Sequence, residues 1–537
     1  MTGPSMIDPC RRRFLRDAAL AGLAASVASP FAHAGAGTVT DTPLARVRGG
    51  RVGGYRDRGI LVFKGIPYGA DTSTHRFQPP RIETPWRGVR EATAYGTASP
   101  QPKADEATGE DCLRLNVWTP ALRDGGRRPI LFYIHGGAYN NGSGSSALYD
   151  GVNLCRRGDV VVVTVNHRLN AFGYLYLAPF GDASLADSGN VGQLDLVQAL
   201  QWIREHAHAF GGDPGNVTVF GQSGGGAKIA TLMAMPAARG LFHRAWTMSG
   251  QQVTAGGPRA AAQRAALVLD ALKLRPSQVD ALRTLPAAEL VAAAQVRDPS
   301  RAEDTALYLG PVLDSRVLPT HPFWPEAPAQ SASIPMVIGN THDETRAFLG
   351  HDPVNFTLAW DDLPAKLEKQ QYVDLSPAVV IAEYRRLYPH YSPSDVFFAA
   401  TTAGRSWRGA IEELEARARQ GAPTWAYQLD WASPLEPKLG AYHTLDIPLV
   451  FDNIGQPGAR TGDGEQARRI AALMSDTLLA FARHGDPNHA GLAAWEPYGL
   501  ARRQTLRFDT STRQEDDPRG GERLLYGRVP FMQRGTF

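Results

Sequence analysis

The chain has 537 residues, 43% hydrophobic and 20% charged, with a net charge of +3. That much apolar material supports one large core and excludes a disordered chain. There is no basic stripe to bind nucleic acid and no acidic one to bind a cationic ligand.

The first element in chain order is predicted to be an export signal. Arg11-Arg12-Arg13 precede Phe14-Leu15, an Ala/Leu-rich stretch runs from Ala18 to Ala28, and Ala32-His33-Ala34 resembles a cleavage site. Residues 1–34 thus read as a twin-arginine-type signal, handled by export machinery and removed, which places the mature protein in the periplasm or outside the cell. Met1 and Met6 are both candidate starts. The apolar stretch is too short to span a bilayer, so no stable membrane anchor is expected. Cys10 leaves with the signal, and Cys112 and Cys155 read as buried free thiols rather than a disulfide framework.

The mature chain, 35–537, reads as one domain. Short apolar runs rich in β-branched residues at 129–134, 160–165, 217–220, 244–248 and 335–338 suit strands buried on both faces of a mostly parallel sheet. Positions 191, 194, 197, 200 and 203 recur at helical spacing after a capping-type Asp187-Ser188. Alternating strands and helices predict an α/β sheet with helices on both faces. Residues 255–330 and 350–425 interrupt the rhythm with Ala, Leu, Arg and Glu at helical spacing. They read as helical insertions that roof the active site.

The most informative line runs Val217-Thr218-Val219-Phe220-Gly221-Gln222-Ser223-Gly224-Gly225. A strand entering G-x-S-x-G and a small-residue helix leaving it form the setting of a nucleophile elbow, with Ser223 on a sharp turn between them. The tetrahedral anion made by a serine nucleophile needs preorganised donors. His135-Gly136-Gly137-Ala138-Tyr139, directly after the 129–134 strand, matches the HGGG-type loop of esterases.

With these motifs the chain resembles the type B carboxylesterases, the family of cholinesterases and para-nitrobenzyl esterases. Phe210 to Gly225 matches the family's nucleophile segment. Glu110 to Trp118 matches its second signature, with Arg114 where an aromatic is usual, and Phe63 to Tyr68 with Arg76-Phe77 match its opening. The resemblance implies an α/β-hydrolase fold, with oxyanion donors at the backbone amides of Gly137, Ala138 and Gly224. It also implies structural ion pairs Arg76–Glu110 and Arg168–Asp195.

A serine hydroxyl needs a positioned base and an orienting acid, which in this fold follow in the order Ser, acid, His. The loop Leu439 to Pro448 resembles the family's catalytic histidine loop and nominates His443. The acid falls after a predicted strand, in His342-Asp343-Glu344-Thr345, where the resemblance favours Glu344 and Thr345 replaces the usual glycine. Asp343 competes with it, and Asp446 is a weaker competitor.

Ser99 stands where the family's first disulfide places its partner for Cys112, so that bridge is expected to be absent. The short 99–112 loop has no tryptophan, which argues against a choline substrate. The expectation is a general carboxylesterase that hydrolyses small-molecule esters through an acyl-enzyme, with no metal and no organic cofactor. The same triad serves an amidase, a carbamate hydrolase or a thioesterase, and a non-catalytic binding protein is the rival of another class. Oligomeric state is not legible in the sequence.

Overall fold

The structure is a computed structural model that describes residues 42–104, 106–299 and 305–533. The export signal expected at 1–34 lies outside the described residues.

An eleven-stranded sheet carries the architecture. From one edge the strands are Arg513–Asp516, Gln504–Phe508, Thr424–Leu429, Met336–Thr341, Arg244–Met248 and Gly212–Gln222. Arg128–Ile134, Val161–Val165, Arg114–Thr119, Ile60–Pro67 and Tyr55–Asp57 complete it. Every pairing between Gln504–Phe508 and Val161–Val165 is parallel, and antiparallel strands finish both edges. A small second sheet joins Leu44–Val47, Gly50–Gly53 and Val89–Glu91. This is the α/β-hydrolase arrangement.

The continuous apolar runs have a direct cause. Ile130, Phe132 and Ile134 pack into one core, while Leu131 and Tyr133 of the same strand pack into the other. Val161, Val163 and Val165 divide from Val162 in the same way. Both faces of the sheet are therefore covered, and each such side chain contributes roughly 1.5–3 kcal/mol on burial. Helices Val191–His206 and Gly224–Ala234 pack on the first face, and Glu465–His484 packs on the second.

Two expectations need correction. Asp187-Ser188 does not cap the helix; a 3-10 turn, Ser188–Asn190, precedes Val191. Asp187 instead accepts from Arg316 Nε at 2.9 Å, and Ser188 Oγ accepts from the Leu177 amide at 2.8 Å. Among the described residues, the first insertion is helical mainly in its first half, at Pro258–Ala271, Pro276–Arg283 and Ala287–Ala293, with one short 3-10 turn, Ala329–Ser331, at its end. Pro311, Pro319, Pro322, Pro325 and Pro328 then punctuate the chain, removing amide donors and keeping it irregular. The second insertion is helical as expected, with Leu363–Gln370, Pro377–Leu387, Pro393–Thr402 and Arg408–Gln420.

Candidate active site

Ser223 stands between the strand Gly212–Gln222 and the helix Gly224–Ala234, with φ 55° and ψ −125°. Side chains avoid that conformation, and holding it costs on the order of 1–3 kcal/mol. The surroundings over-determine it. The Ser223 amide donates to Met248 O at 2.7 Å, and its carbonyl accepts from Ala227 N at 3.1 Å. A Cβ at Gly225 would lie 1.9 Å from Ile134 O, and one at Gly250 would lie 1.8 Å from Ser223 O. The two glycines let helix and loop close on the turn.

The loop after Arg128–Ile134 lies against this elbow. A Cβ at Gly224 would meet Ala138 O at 2.2 Å, and one at Gly136 would meet Ser223 Cβ at 3.3 Å. Gly137 and Ala138 take positive φ, 83° and 50°. Among the described residues, none accepts a hydrogen bond from the amides of Gly137, Ala138 or Gly224. All three residues line the cavity that holds Ser223.

His443 enters the same cavity from the loop between Thr424–Leu429 and the helix Glu465–His484. Its Nδ1 donates to Glu344 Oε2. Glu344 is fully buried, and its Oε1 accepts from the Thr341 amide at 2.9 Å and Asn340 Nδ2 at 3.2 Å. A carboxylate satisfied on both oxygens is a fixed acceptor, and it sets the imidazole tautomer with Nε2 free of hydrogen. That Nε2 accepts from Gln222 Nε2 at 3.1 Å, and both residues line the cavity.

The geometry separates the three carboxylates. Asp343 accepts from the Ala441 amide at 3.0 Å and pairs with Arg346 Nε at 3.2 Å. It thereby fastens the loop that carries His443. Gly440, at φ 63°, admits it, since a Cβ there would lie 2.4 Å from Asp343 Oδ2. Asp446 accepts from Tyr427 OH at 3.0 Å, and burial, aided by the Glu344 charge, pushes its carboxyl up to about 7. Neither is bonded to the imidazole.

The model of the Carboxylesterase family matches residues 36–523. The chain belongs to the carboxylesterase family. It is 36% identical to a para-nitrobenzyl esterase of Bacillus subtilis (strain 168) over 486 residues, 88% of this chain and 96% of that one. It is 33% identical to a phenmedipham hydrolase of Pseudarthrobacter oxydans, over 85% of this chain and 93% of that one. A crystal structure of a Geobacillus stearothermophilus carboxylesterase superposes with a TM-score of 0.81 at 38% identity, covering 90% and 99% of the two chains.

In this carboxylesterase the cavity measures about 570 Å³. Asn140, Asn141, Gln222 and Gln251 give it neutral hydrogen-bonding groups, and Tyr308, Phe348, Tyr372 and Phe531 give it aromatic walls. The second insertion contributes Tyr372 and the π-helical turn Ala403–Trp407, a segment type frequent at functional sites. The first contributes only Tyr308 among the described residues. Phe531, Met532 and Gln533 also line it, and no periodicity or motif marks them in the sequence. The Gln222 contact with His443 was hidden too, because the x of G-x-S-x-G is unconstrained.

The departures have structural consequences. Thr345 is fully buried, and its Oγ1 bonds Phe398 O at 3.0 Å, Thr401 Oγ1 at 2.8 Å and Thr402 Oγ1 at 3.0 Å. Where the family carries glycine, this carboxylesterase thus ties its acid loop to the helix Pro393–Thr402. Arg114 pairs with Asp111. Ser99 Oγ accepts from the Leu169 amide at 3.1 Å, and Cys112 and Cys155 are buried free thiols. Both implied ion pairs form: Arg76 Nε meets Glu110 at 2.6 Å, and Arg168 meets Asp195 at 2.9 and 2.6 Å. Among the described residues, no cluster of three His, Cys, Asp or Glu could hold a metal ion, and no helix is long and apolar enough to cross a membrane.

Proposed function

We propose that the carboxylesterase cleaves its ester by two-step acyl transfer, with Ser223 as nucleophile, His443 as base and Glu344 as orienting acid. His443 Nε2 takes the Ser223 proton as Oγ attacks the carbonyl carbon, and Gln222 yields its place on the ring. The oxyanion is received by the amides of Gly137, Ala138 and Gly224. The imidazolium protonates the leaving alcohol. Water then repeats the sequence on the acyl-enzyme and releases the acid.

The observation that carries the reading is the buried Glu344–His443 hydrogen bond, on a histidine that lines the same cavity as Ser223. Small-molecule esters with aromatic parts suit the lining, and the names para-nitrobenzyl esterase and phenmedipham hydrolase of two relatives are consistent with that. The deciding experiment compares matched ester, thioester and amide substrates on the enzyme and on Ser223→Ala. Esters are expected to be cleaved fastest, and the alanine variant to lose hydrolysis; an undiminished rate in Ser223→Ala contradicts the reading.

We also propose export through the 1–34 segment, supported by Arg11-Arg12 and Ala32-His33-Ala34. N-terminal sequencing of the protein recovered from its natural compartment is expected to begin at Gly35. An intact Met1 or Met6 terminus there contradicts it.

A further inference from the structure

Lys228 is fully buried, and the mechanism above does not use it. It lies four residues after Gly224 on the helix Gly224–Ala234, so the two share one face. Its Nζ donates to His135 O at 3.1 Å and lies 5.7 Å from the centre of the Tyr139 ring. The helix supplies one proposed oxyanion amide and the 135–139 loop supplies the other two. Lys228 is a bond between those two arms.

Beyond His135 the loop is a relay of fixed peptides. His135 Nδ1 donates to Gly136 O at 2.9 Å, so the Gly137 N–H of that same trans peptide points the opposite way. Gly137 O accepts from the amides of Asn140 and Asn141, both at 3.1 Å, which orients the Ala138 N–H likewise. The His135 ring stacks on His167 with centroids 4.8 Å apart and planes 15° apart. The His135 carbonyl, held by Lys228, is the first anchor of this relay.

We propose that Lys228 is a positioning residue for the oxyanion amides, and that its ammonium form, by gripping His135 O, keeps the loop in register with Gly224. This rests on the triad reading above. The titratable groups around the ammonium do not compete for its charge. Burial, then the Lys228 charge, holds His135 down to about 3. Burial holds His167 well below an ordinary imidazole and Tyr139 well above an ordinary phenol. The Gln193 side chain, which is uncharged, donates to the Lys228 carbonyl. The first carboxylate along the chain from Tyr139 OH through Gln252 is Glu413, itself raised to about 8 by burial. Burial alone brings Lys228 down to about 7. Its proton, and with it the strongest grip on His135, is lost as the medium turns alkaline.

The test is kcat and KM for a p-nitrophenyl ester from pH 5.5 to 9.5 on the wild type, Lys228→Met and Lys228→Arg. The wild type is expected to show a falling alkaline limb in kcat. Lys228→Met should lose roughly tenfold in kcat, with KM within about twofold and that limb abolished, a smaller loss than removing an oxyanion donor outright. Lys228→Arg, which keeps its charge, should restore rate without the limb. A methionine variant with the wild-type rate and limb overturns the proposal. If that variant does not fold, the wild-type profile decides: a rate level from pH 7 to 9.5 overturns it and a falling limb upholds it. Ser223→Ala run alongside separates the two readings, since its inactivity leaves the triad standing whatever Lys228 does.

Discussion

Asp446 lies three residues from His443 and is fully buried, yet it is Glu344 that holds the imidazole. The two carboxylates differ in their partners. Asp446 accepts from Tyr427 OH, and its carboxyl is raised by burial and then by the Glu344 charge to about 7. The native state keeps the Asp446 proton where the unfolded chain has released it. The stability Asp446 contributes is therefore present at acid pH and is lost as pH rises through about 7. Asp446→Asn is expected to raise the melting temperature at pH 8.5 while leaving kcat within a few-fold. Glu344→Gln removes the negative charge that orients the ring and stabilises the imidazolium, and is expected to lower kcat by roughly 10²–10⁴. Equal activity losses in the two variants would contradict this division of labour. Strain at Ser223 gives a third outcome at this scale. Ser223→Gly should be inactive yet more stable than Ser223→Ala by about 1 kcal/mol, because glycine accepts φ 55° freely. Denaturant unfolding of the pair measures it.

At the scale of elements, sequence reading succeeds where local chemistry dictates the backbone and fails where a distant segment does. The elbow strand, the 135–138 loop and the helix from Val191 follow from apolar runs, glycines and a 3.6-residue period. The choice between Asp343 and Glu344 does not, since the two are one backbone step apart. It takes the pairing of Asp343 with the Ala441 backbone, and of Glu344 with Thr341 and Asn340, to turn one carboxylate to the loop and the other to the ring. The first insertion shows composition without punctuation: among the described residues, its Ala-rich half folds as helices and its proline-rich half holds only the 3-10 turn Ala329–Ser331. Thr345 shows the gain from reading a departure in place. Thr345→Gly removes a hydroxyl with three buried partners and frees the backbone, so a loss of about 1–3 kcal/mol is expected. Thermal or urea unfolding checks it, and an unchanged midpoint would show that the tether to Pro393–Thr402 contributes nothing.

Over the whole molecule, one sheet places every proposed catalytic group. The elbow, the acid loop and the histidine loop follow the strands Gly212–Gln222, Met336–Thr341 and Thr424–Leu429, which run parallel through Arg244–Met248. Their ends therefore lie at the same edge, where open α/β sheets bind ligands. That much is legible in the strand runs. The cavity walls are not, since they combine Tyr308, Tyr372 and Phe531, residues brought together only by tertiary folding. The sheet's two buried cores also shelter Cys112 and Cys155, whose thiols burial pushes up. Both should react with a thiol reagent only after unfolding.

The central claim is that Ser223 forms the covalent intermediate, and mass spectrometry of the enzyme treated with an organophosphate tests it most directly. One adduct is expected, on the peptide that contains Ser223, and none on Ser223→Ala. An adduct on another residue, or on the alanine variant, would contradict the account.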